Sequence, residues 1–120
     1  MPRQINGNFP RISFITACMG RLHHLKETYP RNLFWNYRYP DVEFVLLDYN
    51  SQDGLGEWVK HSLYKHIESG LVVYYKNPKP ETFHYSHARN MLLRLATGEI
   101  VCNLDADNYT CKNFAIYIAG

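Results

Sequence analysis

Four short apolar runs recur along this 120-residue chain and constrain its fold more than any other feature. They cover residues 12–17, 42–47, 71–75 and 100–104, and their β-branched and aromatic residues favour strands. Segments with apolar residues at helical spacing separate them. This alternation predicts parallel strands joined by right-handed crossovers, and therefore an open, doubly wound, mostly parallel α/β sheet.

The spacing of apolar residues predicts the helices between the strands. Leucines and a tyrosine recur at helical spacing from residue 22 to 33, and Pro30 is expected to divide this segment into two helical pieces. Residues 55–67 carry an apolar residue at every fourth position and predict one helix that stops at Gly70. A third helix is expected over residues 86–97.

The size of the chain suits one domain. A mass of 14.1 kDa can support one hydrophobic core, so residues 1–120 are expected to form a single domain. Apolar residues make up 46% and charged residues 20% of the sequence, which is ordinary for a globular protein and does not suggest a disordered chain. No run approaches the roughly 20 apolar residues of a membrane-spanning helix.

Charge and cysteine content narrow the partners and the compartment. A formal net charge of +2 gives no basic field for nucleic acid, so no nucleic-acid partner is expected. Cys18, Cys102 and Cys111 are odd in number and lack Cys-x-x-Cys spacing, which favours a reducing compartment. The N-terminus lacks the apolar core of a signal peptide, so a cytoplasmic location is expected. Peripheral attachment to a membrane is compatible with this expectation.

Polar residues cluster where the predicted strands end. Thr16, Asp48, Asp53 and Asp105 all fall at carboxyl ends of strands. Ligands of doubly wound sheets bind beyond those ends. The sequence therefore predicts one binding cleft at that edge of the sheet.

The last predicted strand leads directly into Asp105-Ala106-Asp107. Two carboxylates held close together repel each other, and a divalent cation with oxygen ligands relieves that repulsion. This motif predicts a Mg²⁺ or Mn²⁺ site for a phosphorylated substrate. A plain polar turn is the alternative. An EF-hand is excluded, because Thr110 and Ile116 stand where its loop requires Gly and Glu.

Several stretches in a fixed order resemble a known family. They are residues 14–17 with Arg21, then 45–54, 87–90 and 97–107. Family-2 glycosyltransferases with the A-type fold usually show a strand followed by Asp-Asp-Gly-Ser-x-Asp, then Ala-Arg-Asn, then Gly-Glu and an apolar strand that ends in Asp-x-Asp. The chain resembles the N-terminal, nucleotide-sugar-binding part of such an enzyme.

The resemblance implies an activity and its reactants. A hexosyltransferase-like glycosyltransferase would take a sugar from a nucleotide-sugar donor, with a UDP-sugar favoured. It would pass that sugar to a hydroxyl of a glycan or other acceptor. A Mn²⁺ or Mg²⁺ ion would offset the charge that grows on the departing nucleoside diphosphate.

The resemblance also assigns residues. Donor contacts are expected from Thr16, Ala17, Arg21, Asp48, Ser51, Arg89 and Asp105. Asp48 would accept hydrogen bonds from uracil or ribose, and Arg89 would face the diphosphate or base. Asp107, together with Asp105, would ligate the metal. Asp53 is expected to shape its loop and cap the helix that follows.

The sequence departs from the family pattern in three places and ends early. Tyr49 replaces a common second acid, Asn50 replaces a common Gly, and Asn103 interrupts an apolar strand. The catalytic base that deprotonates the acceptor is expected beyond Gly120, so the chain would be a fragment or short homologue that binds donor. An apolar run over residues 114–119 is expected to favour self-association.

Two other functions remain open at this point. A nucleotidyltransferase would use a similar sheet, but a Gly-rich, basic phosphate loop after the first strand is missing. A non-catalytic nucleotide-binding or scaffolding module would suit the short chain.

His84 and His87 lie three residues apart and are expected to anchor the loop or lie at the surface more than to touch a ligand.

Overall fold

A computed structural model describes residues 9–119 of the chain. Strands and helices alternate as the apolar runs predict. In chain order, the elements are β1 (Ile12–Cys18), α1 (Leu22–Asn36), β2 (Val42–Asp48), α2 (Leu55–Ser62), α3 (Tyr64–Glu68), β3 (Val72–Lys76), α4 (Tyr85–Leu95), β4 (Ile100–Asn103) and α5 (Phe114–Ala119).

The four strands form one parallel sheet in the order β3-β2-β1-β4. Ile12 opens β1 and lies opposite Val42 of β2 on one side and Ile100 of β4 on the other. From β1 the chain first adds β2 and β3 on one side of the sheet and then returns to add β4 on the other side. The predicted doubly wound α/β fold is therefore confirmed, and its switch point lies beside β1.

Two hydrophobic clusters cover opposite faces of the sheet. The larger one joins β1 and β2 residues such as Phe14 and Phe44 to α1, α2 and α5. The smaller one packs Ala88 and Leu92 of α4 against the other face. Because alternate residues of a strand point to opposite faces, a strand buried on both sides must be apolar throughout, as β2 nearly is.

The predicted break at Pro30 is wrong, since α1 runs without interruption from Leu22 to Asn36. A proline removes one helical hydrogen bond. Pro30 and Lys26, whose carbonyl loses that bond, both lie on the exposed side of α1, where water can replace the missing donor. Burial of Tyr29 and Leu33 on the inner side stabilises the continuous helix.

The helix predicted over residues 55–67 is divided in two. Leu63 has φ −112° and ψ 8° and separates α2 from α3. Leu55, Val59 and Leu63 are buried, whereas Ile67 is 36% exposed. The apolar stripe therefore faces the core over its first three positions and then turns away from it.

A buried carboxylate joins three segments at the amino end of the sheet, opposite the predicted cleft. Glu43 of β2 accepts hydrogen bonds from Ser13 Oγ at 2.5 Å and from the Thr97 backbone N–H at 2.8 Å. Arg11 Nη2 lies 3.1 Å from its other oxygen. Burial alone raises the pKa of Glu43, but these donors outweigh burial and hold it below its usual value.

The apolar run near the C-terminus forms α5. Ala115 is buried, and Phe114, Ile116 and Ile118 pack against the larger cluster, whereas Tyr117 is 80% exposed. The self-association expected of this run stays a prediction. Among residues 9–119, no helix is long and apolar enough to cross a membrane.

Candidate functional site at the switch point

A cleft of about 350 Å³ opens where the carboxyl ends of β1 and β4 diverge. The chain connections lead to opposite sides of the sheet from this point, which is where ligands of doubly wound sheets bind. Its lining combines acids, arginines, aromatic rings and small residues. The lining residues are Ala17, Met19, Arg21, Phe83, Tyr85, Ala88, Arg89, Leu92, Asn103, Asp105, Ala106 and Asp107.

Five of the residues predicted for donor and metal come together in this cleft. They are Ala17, Arg21, Arg89, Asp105 and Asp107. They come from four separate parts of the chain: β1, the start of α1, α4 and the segment after β4. Thr16, Asp48 and Ser51 lie elsewhere, with their side chains engaged inside the protein.

The acidic segment after β4 forms a tight turn. The Asn108 backbone N–H donates to the Asp105 carbonyl at 3.0 Å, which closes a turn over residues 105–108. Ala106 is buried, whereas Asp105 and Asp107 are exposed on either side of it. The small residue therefore anchors the turn while both carboxylates remain accessible.

This turn over residues 105–108 is called the acidic turn below, and its two carboxylates suit a hard divalent cation. Asn103 Nδ2 donates to Asp105 Oδ1 at 2.9 Å, which fixes that carboxylate and leaves its second oxygen available. Within residues 9–119, no three His, Cys, Asp or Glu side chains are grouped closely enough to hold a metal. Two carboxylates nevertheless fit Mg²⁺ or Mn²⁺, since such ions usually keep several waters and phosphate oxygens as ligands.

Two arginines provide positive charge in the same cleft. Arg21 immediately precedes α1, and Arg89 lies on the first turns of α4. Arg89 Nη1 donates to the Tyr85 hydroxyl at 3.0 Å, one helical turn earlier, which orients its guanidinium. Guanidinium groups bind phosphate oxygens through paired donors, so the cleft combines acids for a cation with arginines for an anion.

Asp48 does not line the cleft as a free acceptor. Its side chain is buried, Oδ1 accepts the Ser51 backbone N–H at 2.8 Å, and Oδ2 accepts the Tyr74 hydroxyl. Burial and this hydrogen bond raise the pKa of Tyr74. The uracil or ribose contact expected of Asp48 stays a prediction, and it would require this buried carboxylate to become accessible.

Ser51 and Asp53 tie the loop after β2 to the start of α1. Ser51 Oγ accepts the Gly20 backbone N–H at 2.9 Å and donates to Asp53 Oδ1 at 2.6 Å. Asp53 Oδ2 accepts the Leu22 N–H at 2.9 Å, so its carboxylate caps α1, an earlier helix. The cap expected for the helix that follows stays a prediction. Although burial raises the pKa of Asp53, these donors outweigh it and lower that pKa.

Thr16 lies inside the protein next to the cleft and connects β1 to the segment after β4. Its side chain is buried, and Oγ1 donates to the Leu104 carbonyl at 2.6 Å. The Leu104 N–H in turn donates to the Ile15 carbonyl at 2.8 Å. β1 therefore holds the exit of β4, and the neighbouring Ala17 faces the cleft.

The departures from the family pattern have structural explanations. Tyr49 is buried, and its hydroxyl lies 2.5 Å from His87 Nδ1, which ties the end of β2 to α4. Asn50 has φ +55°, a left-handed conformation that Gly adopts freely and Asn tolerates. His84 precedes α4 and lies 3.2 Å from Thr82 Oγ1, so both histidines have the anchoring roles expected of them.

Four lining residues were missed by sequence reasoning: Met19, Phe83, Tyr85 and Asn103. Phe83 and Tyr85 are about half exposed despite their large rings. Tyr85 lies four residues before Arg89 on α4, which was an available signal because residues four apart share a helix face. Phe83 precedes the helix and had no such signal. Asn103 was treated as an interruption of a strand, but it places an amide beside Asp105.

The α/β domain therefore has an acidic turn and two arginines at the switch point, where ligands of doubly wound sheets bind. The family model described as Glycosyl transferase family 2 matches residues 13–114. The chain therefore belongs to glycosyltransferase family 2, as the motif resemblance implies. No curated protein sequence gave a significant match.

Solved structures agree on the fold. The mannosyltransferase PcManGT from Pyrobaculum calidifontis, in complex with GDP-Man and Mn²⁺, is 26% identical, with a TM-score of 0.77 over 93% of this chain and 32% of its own. TarS 1–349 of S. aureus, in complex with UDP-GlcNAc, is 21% identical, with a TM-score of 0.73 over 91% of this chain and 30% of its own. This chain thus spans about a third of either structure.

Proposed function

We propose that this chain is the donor-binding part of a metal-dependent glycosyltransferase. The observation that carries the proposal is the meeting of Ala17, Arg21, Arg89, Asp105 and Asp107 in one cleft. Family membership makes a nucleotide sugar the expected ligand. PcManGT, whose fold this chain shares, binds GDP-Man and Mn²⁺.

Each residue has a role that follows from its chemistry. Asp107 and the free oxygen of Asp105 would ligate Mn²⁺ or Mg²⁺, since hard cations take oxygen ligands. Arg21 and Arg89 would face the diphosphate, whose charge suits their forked donors. The metal, when bound, supplies Lewis-acid stabilisation of the leaving diphosphate.

The nucleoside is the less constrained part of the proposal. A uridine donor was expected from the motif, with Asp48 as the base contact. Asp48 is buried and hydrogen-bonded, so base recognition would fall to the backbone around Ala17 and to the aromatic rings of Phe83 and Tyr85. These groups accept more than one base, and both UDP and GDP belong in a binding test.

Among the described residues, none is assigned as the base that deprotonates the acceptor hydroxyl. The acids lining the cleft within residues 9–119 are Asp105 and Asp107, both of which the proposal gives to donor and metal. A separate base within reach of the acceptor hydroxyl would complete transfer. A glycan or another hydroxyl compound is the acceptor class that the family implies.

Calorimetric titration of UDP and GDP, each with and without Mn²⁺, tests this proposal. Asp107→Asn keeps the side chain's shape but removes its charge, and we expect Mn²⁺-dependent binding to weaken at least about tenfold. Glu57→Gln removes one charge from the exposed side of α2 and should leave binding unchanged. Binding that needs no metal, or that Asp107→Asn leaves intact, would refute the metal role.

A further inference from the structure

A ladder of buried polar side chains runs along the inner side of α1. Thr28, Asn32 and Asn36 are spaced four residues apart, and each is at most 4% exposed. Residues at this spacing share one helix face, which would ordinarily be apolar in a helix packed on a sheet. Buried polar groups are costly unless they are hydrogen-bonded, so their partners indicate their role.

All three side chains bond to the segment that contains and follows the acidic turn. Thr28 Oγ1 donates to the Ala106 carbonyl at 2.6 Å, and Asn32 Nδ2 donates to the Asn108 carbonyl at 2.9 Å. These two carbonyls flank Asp107. The backbone on both sides of the proposed metal ligand is therefore fixed by side chains of α1.

The ladder continues beyond the turn. Asn32 Oδ1 accepts the Thr110 N–H at 2.8 Å, and Asn36 Nδ2 donates to Thr110 Oγ1 at 2.8 Å. Asn36 Oδ1 accepts the Ala115 N–H, also at 2.8 Å, at the start of α5. Each amide uses both its donor and its acceptor, so the segment from residue 106 to 115 is held at regular intervals.

We propose that Thr28, Asn32 and Asn36 are positioning residues that hold the acidic turn in the geometry needed for metal and diphosphate. They touch neither ligand in this assignment and act through the backbone of the turn. The carboxylates of such a turn can bind a shared cation well only if their separation is fixed in advance. The proposal deepens the proposed function and rests on it for the identity of the ligand.

The opposite end of the sheet provides a matched comparison. Ser13 is also buried, donates to Glu43 at 2.5 Å and accepts the Gly98 N–H at 2.8 Å. Ser13→Ala therefore removes a buried hydroxyl of similar importance to the fold, far from the cleft. Thr28→Val removes one hydroxyl with almost no change in side-chain shape, and Thr28→Ser restores it.

Amide hydrogen exchange in the metal-free protein gives the first measurement. Loss of one hydrogen bond should accelerate exchange at Asn108, whose N–H donates to the Asp105 carbonyl, about fivefold in Thr28→Val. Ser13→Ala should accelerate exchange near Gly98 and leave the acidic turn unchanged. Thr28→Ser should restore wild-type exchange, which a role in filling space alone would not predict.

Binding of Mn²⁺ with UDP or GDP gives the second measurement. Thr28→Val should raise the dissociation constant about tenfold, as loss of a group supporting a metal ligand does. Ser13→Ala should not change it. Thr28→Ala, which also lacks the hydroxyl, replaces Thr28→Val if the added methyl prevents folding.

The two proposals fail in different ways. Absence of metal-dependent nucleotide binding by the wild-type chain would refute the proposed function. Exchange at the acidic turn that is unchanged in Thr28→Val, or changed equally by Ser13→Ala, would refute the positioning role. Normal metal affinity in a Thr28→Val protein with a loosened turn would refute it as well.

Discussion

Gly98→Ala is expected to destabilise the protein by about 2 kcal/mol. A Cβ at Gly98 would lie 2.6 Å from Ser13 Oγ, 2.8 Å from Ser13 N and 2.9 Å from Arg11 O. Ser13 N belongs to the backbone of β1 and Arg11 O to the backbone just before it, so neither can rotate away as a side chain can. The segment before β4 must therefore move away by roughly 1 Å to reach ordinary contact distance.

That movement has a calculable cost. Overpacking of this kind costs about 1–3 kcal/mol. It also stretches the 2.8 Å bond from the Gly98 N–H to Ser13 Oγ, worth about 1 kcal/mol. The reduced freedom of Ala in the unfolded chain returns about 0.4–1 kcal/mol. The net effect corresponds to a melting temperature lower by about 8 °C for a chain of this length.

Urea denaturation followed by circular dichroism measures this change. Gly56→Ala is the matched control, because its Cβ would lie 3.5 Å from the Tyr74 hydroxyl, an ordinary contact, within α2. Ala is the better helix former, so Gly56→Ala should be neutral or stabilise by up to about 1 kcal/mol. If Gly98→Ala were as stable as wild type, the close approach of this segment to β1 would be refuted.

Two further predictions concern buried groups. The buried Tyr29 hydroxyl has no hydrogen-bond partner among the described residues, so Tyr29→Phe should stabilise the protein by about 1 kcal/mol. Tyr39→Phe is the contrasting variant. It loses a 2.6 Å hydrogen bond to the Pro10 carbonyl and should destabilise the protein by a similar amount. Urea midpoints of both variants test this, and destabilised Tyr29→Phe would contradict it. The pKa of Glu43 is lower in the folded than in the unfolded protein, so its stabilisation is present above the unfolded value near 4.5 and is lost as the pH falls below it. Glu43→Gln should flatten the acid limb of a stability–pH curve, and an unchanged slope would argue against this network.

The strands and the cleft could be predicted because their signals are local. Each strand is an apolar run, and each polar residue that follows a strand must appear at one edge of a parallel sheet. Asp105 and Asp107 were found in this way, whereas Arg89 entered through motif resemblance. Ala17 and Arg21 entered through motif resemblance, and they reach the same cleft.

The remaining features depend on contacts that no local pattern reveals. The motif assigned Asp48 to a ligand, and no local pattern reveals that Tyr74 of the neighbouring strand donates to it. Pro30 was expected to break α1, but its position on the solvent side makes the lost hydrogen bond inexpensive. The polar ladder of α1 was overlooked because Thr28 and Asn32 look like solvent-facing residues until their distant partners are known.

The bonds that hold the acidic turn have a consequence for the order of folding. Thr28 and Ala106 are 78 residues apart in the chain, and Thr16 and Leu104 are 88 apart. Closing such long loops is slow, so structures that depend on distant contacts tend to form late. During synthesis, β1 and α1 leave the ribosome long before their partners exist. We therefore expect the cleft to be among the last parts of the molecule to become ordered.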